Sequence, residues 1–190
     1  MRKLLLGVGC ILLITCPVRG GEPPAYMQLK AGTTAEIKLK RDKGDLFWAE
    51  DVELLPEARR PKIRGAIQAV DTVRHAIRVL SQWIVVGSDT QFLDQKEIPI
   101  RFSDLRRDAR VEVGCRIDTT GEWYARHLRT EGVKSSDKIK GTVSRVMFDG
   151  TPPDTIEING LRIVVTAETA VFRTLGGTAE AADSSNREKD

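Results

Sequence analysis

The sequence predicts an all-β protein built from two tandem, small, five-stranded barrel units. Three observations lead there. Apolar and polar residues alternate in short runs, as half-buried strands require. No segment holds a sustained helical period. And the chain meets itself when it is slid by 76 residues.

The first strand is Ala35-Glu-Ile37-Lys-Leu39-Lys, which alternates with period two. Asp42-Lys43-Gly44 is a turn signal. Leu46 to Leu54 forms a second strand whose apolar parity shifts between Ala49 and Val52. A β-bulge, which inserts one extra residue, explains such a shift. Lys62 to Val70 is the third strand, with Ile63, Gly65 and Ile67 on one face. Its mid-strand glycine marks a bend or a close backbone approach. Ala76 to Leu80 and Trp83 to Gly87 form a hairpin around Ser81-Gln82. Five short strands with a bulge suit a closed barrel, which leaves no free sheet edge. An open sandwich is the alternative.

The second copy repeats these features. Leu29 falls on Leu105, Glu36 on Glu112, Ile37 on Val113 and Phe47-Trp48-Ala49 on Trp123-Tyr124-Ala125. Lys62-Ile63-Arg64-Gly65 falls on Lys138-Ile139-Lys140-Gly141. Three extra residues in the Phe148–Pro153 loop then move the offset to 79. Ile84-Val85-Val86 meets Ile163-Val164-Val165, and Thr90 meets Thr169. The second hairpin turns at Asn159-Gly160, a strong signal. The parity shift recurs between Ala125 and Leu128. The expected layout is a first unit over residues 27–95 and a second over 103–174. Asp94 to Phe102 connects them, and Ile98-Pro99-Ile100 is apolar enough to pack the units together.

Residues 1–20 read as a secretory signal peptide. Arg2 and Lys3 precede twelve largely apolar residues, Leu4 to Thr15, and Val18-x-Gly20 offers a cleavage site. Twelve helical residues reach about 18 Å, short of a bilayer core. The expectation is export to the periplasm or the extracellular space, with no transmembrane segment after signal removal. Lipid attachment at Cys16 is disfavoured by Thr15 before it and Pro17 after it. Residues 176–190 are small and charged and should be disordered.

Charge narrows the function. The chain carries 30 Lys and Arg against 27 Asp and Glu. Without Arg2, Lys3 and Arg19 the two balance. That balance, with export, opposes a nucleic-acid binder, which normally carries a basic excess. Of three cysteines only Cys115 follows the leader, so the fold must hold by burial without an internal disulfide. Cys115 falls on the apolar side of its strand. His75 and His127 have no second His or Cys at metal-ligand spacing. Neither a Gly-x-Ser-x-Gly elbow nor a glycine-rich phosphate loop is present. The expectation is no enzyme, no metal and no cofactor.

The aromatics are the candidate contact residues. Phe47 and Trp48 are consecutive, as are Trp123 and Tyr124. If Phe47 and Trp123 share the inward parity of Ala49 and Ala125, then Trp48 and Tyr124 face out. Trp83 is a third candidate. Outward aromatics on a barrel can stack on a sugar, a base or a peptide side chain, or can pack the two units together. Basic clusters at Arg59–Arg64 and Arg106–Arg110, and acids at Glu50, Asp51 and Glu53, read as solvated faces and cross-strand pairs.

Several of these motifs also carry a resemblance. Lys138-Ile139-Lys140-Gly141-Thr142-Val143, Thr155–Gly160, Ile163-Val164-Val165-Thr166 and Thr169 resemble bacterial secreted proteins with domain of unknown function family 5666. Leu105, Val111-Glu112-Val113 and Gly121–Ala125 match the continuation of that unit. In that family's phase, residues 62–131 are one full unit, and 27–56 with 138–173 are two halves. The resemblance implies an OB-like barrel in an envelope or extracellular setting, with no activity and no catalytic residue to carry over. The function expected is a non-enzymatic envelope module that binds a peptide, protein or glycan. The alternative is an OB-fold protein for oligosaccharide or single-stranded nucleic acid.

Overall fold

The computed structural model describes residues 25–42, 46–56, 60–148 and 153–173. The expected signal peptide over 1–20, the tail over 176–190, Lys43 and Gly44 of the expected turn, Arg59 of the first basic cluster and residues 149–152 lie outside the described residues.

The chain is all-β. Its strands are β1 (Thr34–Arg41), β2 (Phe47–Leu55), β3 (Lys62–Asp71), β4 (Ala76–Val79), β5 (Gln82–Leu93), β6 (Arg110–Ile117), β7 (Trp123–Thr130), β8 (Asp137–Met147), β9 (Thr155–Ile158), β10 (Leu161–Val164) and β11 (Ala170–Arg173). Two single 3-10 turns, Ala25–Gln28 and Phe102–Asp104, complete the regular structure of the described residues. None of their helices is long and apolar enough to cross a membrane.

The strands pair into two closed five-membered rings. In ring one, β1 pairs β2, β2 pairs β10 in parallel, β10 pairs β9, β9 pairs β8, and β8 returns to β1. In ring two, β3 pairs β4, β4 pairs β5, β5 pairs β7 in parallel, β7 pairs β6, and β6 returns to β3. β11 extends ring one along β2. It stands where the second half of β5 runs along β7 in ring two.

These pairings correct the boundaries expected from the sequence. Residues 27–95 do not close on themselves: β1 and β2 find their outer partners in β8, β10 and β11. Ring two is continuous in sequence from β3 to β7, while ring one is assembled from the two ends of the chain around it. The physical reason is that a repeat fixes its period but not where one unit starts. Strand closure chooses the starting point, because an edge left open on β1 would expose unpaired amides and carbonyls.

Local sequence explains each ring. β1 buries Ala35, Ile37 and Leu39 and turns Lys40 to solvent. Glu50 is the extra residue of a bulge in β2, because Lys38 faces Asp51 while Leu39 faces Ala49. Arg126 does the same in β7, between Gly114 opposite His127 and Cys115 opposite Ala125. Both parity shifts read from the sequence are therefore bulges. A second pair inserts Gln68 in β3 and Ser144 in β8.

The hairpin turns have positive φ at both central residues, 46° and 63° at Leu80-Ser81 and 51° and 84° at Asn159-Gly160. Such turns match strand twist. The first turn lies one residue earlier than Ser81-Gln82. Leucine is a poor residue at positive φ, but its side chain is buried over Gly65. A Cβ at Gly65 would meet Leu80 Cδ2 at 3.0 Å. Asn159 covers Gly141 in the same way, at 1.9 Å. The mid-strand glycines are thus sites of close approach.

The rings join through β3 and β8, where Lys62 faces Lys140, Ile63 faces Ile139 and Arg64 faces Lys138. Residues 62, 63 and 64 correspond to 138, 139 and 140, so exchanging the rings maps this register onto itself. The joint is a local pseudo-two-fold centred on Ile63 and Ile139. Both isoleucines are fully buried in one continuous apolar cluster with Ile37, Val52, Val113 and Leu128. Burying side chains of this size contributes about 1.5–3 kcal/mol each. The 94–102 connector folds back on ring two, with Leu93 bridged to Pro99 and the Ile100 amide donating to the Phe92 carbonyl at 3.2 Å.

Candidate functional site

The three aromatics expected to face outward separate into two places. Phe47 and Trp123 are buried at 2% and 3% exposure, so the inward parity holds. Trp48 and Tyr124 point to the other side and are half-buried. They occupy corresponding positions, Trp48 in ring one and Tyr124 in ring two. Trp48 lies opposite Lys40, and Tyr124 lies opposite Arg116. The Arg116 guanidinium sits over the Tyr124 ring, 4.2 Å from its centroid, within cation–π range. The Tyr124 hydroxyl donates to Glu122 at 2.6 Å.

Trp83 is in ring two. Tyr124 is opposite Val85 on the neighbouring strand, and Trp83 lies two residues before Val85 on the same face. Trp83 and Tyr124 therefore share the outer face of ring two, while Trp48 belongs to the other ring. Trp83 is 43% exposed. Its cross-strand partner is Arg78, whose Nε is buried without a hydrogen-bond partner. In ring one Arg162 stands where ring two has Trp83, so the aromatic face is not duplicated.

A second cluster was not singled out from the sequence. At the joint between the rings, Glu112 accepts from Lys62 Nζ at 2.9 Å and from the Arg64 guanidinium. In the corresponding place Glu36 accepts from Lys138 Nζ at 2.9 Å and pairs with Lys140 at 2.6 Å. Burial pushes the Glu112 carboxyl up, but Lys62 and Arg64 outweigh it and hold its pKa at about 2. Glu36 is likewise raised by burial and lowered further by Lys140 and Lys138, so its pKa falls below the usual range. The signal for this cluster was present: Lys-Ile-Arg/Lys-Gly and the two glutamates all repeat at 76 residues.

Among the remaining candidates, Cys115 is buried, and burial pushes its thiol pKa up to about 12. Burial, with Lys62 nearby, lowers His127 below its ordinary value. Its ring lies over Gly114, where an added Cβ would meet Cε1 at 2.0 Å. His75 sits in the β3–β4 turn at φ 48°, its ring 5.3 Å from that of Phe102. Asp118 is a turn residue, accepting from the Thr120 and Glu122 amides at 2.9 and 3.0 Å.

The continuous ring can be compared with known families. Residues 64–129 match the family model described as Domain of unknown function (DUF5666). The DUF5666 match starts in β3 and ends in β7, so it coincides with ring two. Trp83, Tyr124, Arg64 and Glu112 lie inside the DUF5666 segment, and Trp48, Glu36, Lys138 and Lys140 lie outside it. No curated protein and no solved structure matches the chain.

Proposed function

We propose that this protein is an exported, non-catalytic binding or interaction module of the bacterial envelope. Its two rings act as OB-like barrels that arose by duplication. The observation that carries the reading is the outer face of ring two. There Trp83 is 43% exposed, Tyr124 shares its face, and Arg78 and Arg116 flank them on the neighbouring strands. An amphipathic aromatic beside a cation suits a partner with an apolar surface and hydrogen-bonding groups, such as an envelope peptide or a glycan. The family resemblance of the leader-bearing chain supports the envelope setting. Trp48 with Lys40 offers a related, less exposed contact on ring one.

The oligosaccharide reading draws on the same face. The single-stranded nucleic-acid reading needs a continuous cationic track beside the aromatics, and the charge balance beyond the leader weighs against it. The test is tryptophan fluorescence during titration with envelope-type peptides, oligosaccharides and a short oligonucleotide. The reading expects quenching by a peptide or glycan that Trp83→Phe and Tyr124→Ala abolish. Silence across the panel, or a response to the oligonucleotide alone, contradicts it.

A further inference from the structure

We propose that the joint between the rings is a binding site for a compact phosphate-class anion, independent of the aromatic face. Lys62, Arg64, Lys138 and Lys140 line a cavity of about 200 Å³ there, together with Glu36 and Glu112 alone. The β3–β8 register sets Lys62 against Lys140 and Arg64 against Lys138. Like charges directly opposite on paired strands repel, so a fold that places four cations on two paired strands needs compensation. The two carboxylates supply half of it. Glu112 is shared by Lys62 and Arg64, with Arg129 3.9 Å away on β7, and Glu36 by Lys138 and Lys140. Among the six residues that line the cavity, four cations against two carboxylates leave an excess of two positive charges.

Desolvation strengthens that excess. The side chains of Glu112, Lys140 and Arg64 are only 8%, 17% and 25% exposed. Charges withdrawn from water interact more strongly than solvated ones. The carboxylates position the cations, fixing ammonium and guanidinium groups around one hollow. An ammonium has three N–H donors and a guanidinium five in a planar fork. With one donor from each lysine directed at a carboxylate, others are available for anionic oxygens. The pseudo-two-fold offers the same arrangement from both sides, which suits an anion with equivalent oxygens at its two ends. Pyrophosphate is the simplest such molecule.

The flanks set the size. Glu53 lies opposite Glu36 on the far side of β1, and Glu131 accepts from Arg129 on β7. Asp51 lies 3.8 Å from Lys38. A long polyanion crossing the joint would leave the four cations for flanks where acids are paired with Arg129 and Lys38, whereas a small anion stays among the four cations.

The experiment is isothermal titration calorimetry of the full chain with inorganic pyrophosphate, inorganic phosphate and a single-stranded decanucleotide. Thermal melting is followed in parallel. The expected result is saturable pyrophosphate binding with a raised melting temperature. Lys62→Gln/Lys138→Gln should weaken it by about tenfold or more, since truncating one partner of a close, hydrogen-bonded charge pair speeds dissociation. The unliganded double variant should still fold, because Arg64 and Lys140 remain paired with Glu112 and Glu36. Trp83→Phe should leave pyrophosphate binding unchanged, which separates this site from the aromatic face. Absence of pyrophosphate binding, binding indifferent to the double variant, or tighter binding of the decanucleotide would overturn the proposal.

Discussion

The Thr169 hydroxyl donates to the carbonyl of Ala49 at 3.1 Å, tying the residue that precedes β11 to β2. The same hydroxyl accepts from the Thr166 amide at 3.0 Å. In ring two Thr90 makes both bonds, to the Ala125 carbonyl at 2.9 Å and from the Gly87 amide at 3.1 Å. Both threonines are buried. Each pins the point where a strand leaves its parallel partner and returns to it, so each is a latch on ring closure.

Removing a latch leaves a buried carbonyl without its donor, and an unsatisfied buried group costs about 1–3 kcal/mol. Thr169→Val and Thr90→Val should therefore each lower the unfolding free energy by an amount in that range, seen as a lower urea midpoint. Thr169→Ser, which keeps the hydroxyl, should lose less. Urea unfolding followed by circular dichroism checks this. A Thr169→Val protein as stable as the parent would show that the bond does not hold ring one.

Acid should weaken the joint. The Glu112 pKa is depressed from 4.5 to about 2 in the folded chain. A carboxyl depressed on folding stabilises the native state above its unfolded pKa and stops doing so as pH falls through its folded one. Stability should therefore drop between about pH 4.5 and 2, and Glu112→Gln should flatten that part of the profile. Urea midpoints measured across this range test it. An identical slope in the variant would show that Glu112 is not coupled to folding.

Cys115 should be inert while the chain is folded. Its burial and raised pKa leave almost no thiolate at neutral pH, and the thiolate is the reactive form. Labelling with a thiol-specific disulfide reagent should proceed only at the rate of unfolding and accelerate with urea. Immediate labelling in buffer alone would contradict the placement of Cys115 in the core.

Strand content, bulges and inward aromatics were legible because each leaves a local mark. The jump from Ala49 to Val52 can only be reconciled with alternation by an extra residue, and Gly65 marks a place where a neighbour comes close. Ring boundaries were not legible from the repeat alone. Lys62–Gly65 matches Lys138–Gly141 equally well whether β1 closes on β5 or on β8, since one period admits several starting points. The family phase, with 62–131 as one unit and two flanking halves, is the arrangement the pairings follow. The charged joint was hidden for a related reason. Glu36 and Lys140 are far apart in sequence and meet only after ring one has closed, so their repetition at 76 residues looked like ordinary surface charge. The face shared by Trp83 and Tyr124 likewise depends on the parallel β5–β7 register, which no local pattern encodes.

The pairings place the start of the continuous ring at β3, with ring one completed by segments on either side of it. Comparing the thermal melts of two fragments, residues 60–131 and residues 27–95, tests it most directly. Residues 60–131 should give a cooperative β-sheet melt and residues 27–95 none, because their β1 and β2 lack β8 and β10. A cooperative melt for 27–95, with 60–131 unfolded, would contradict it.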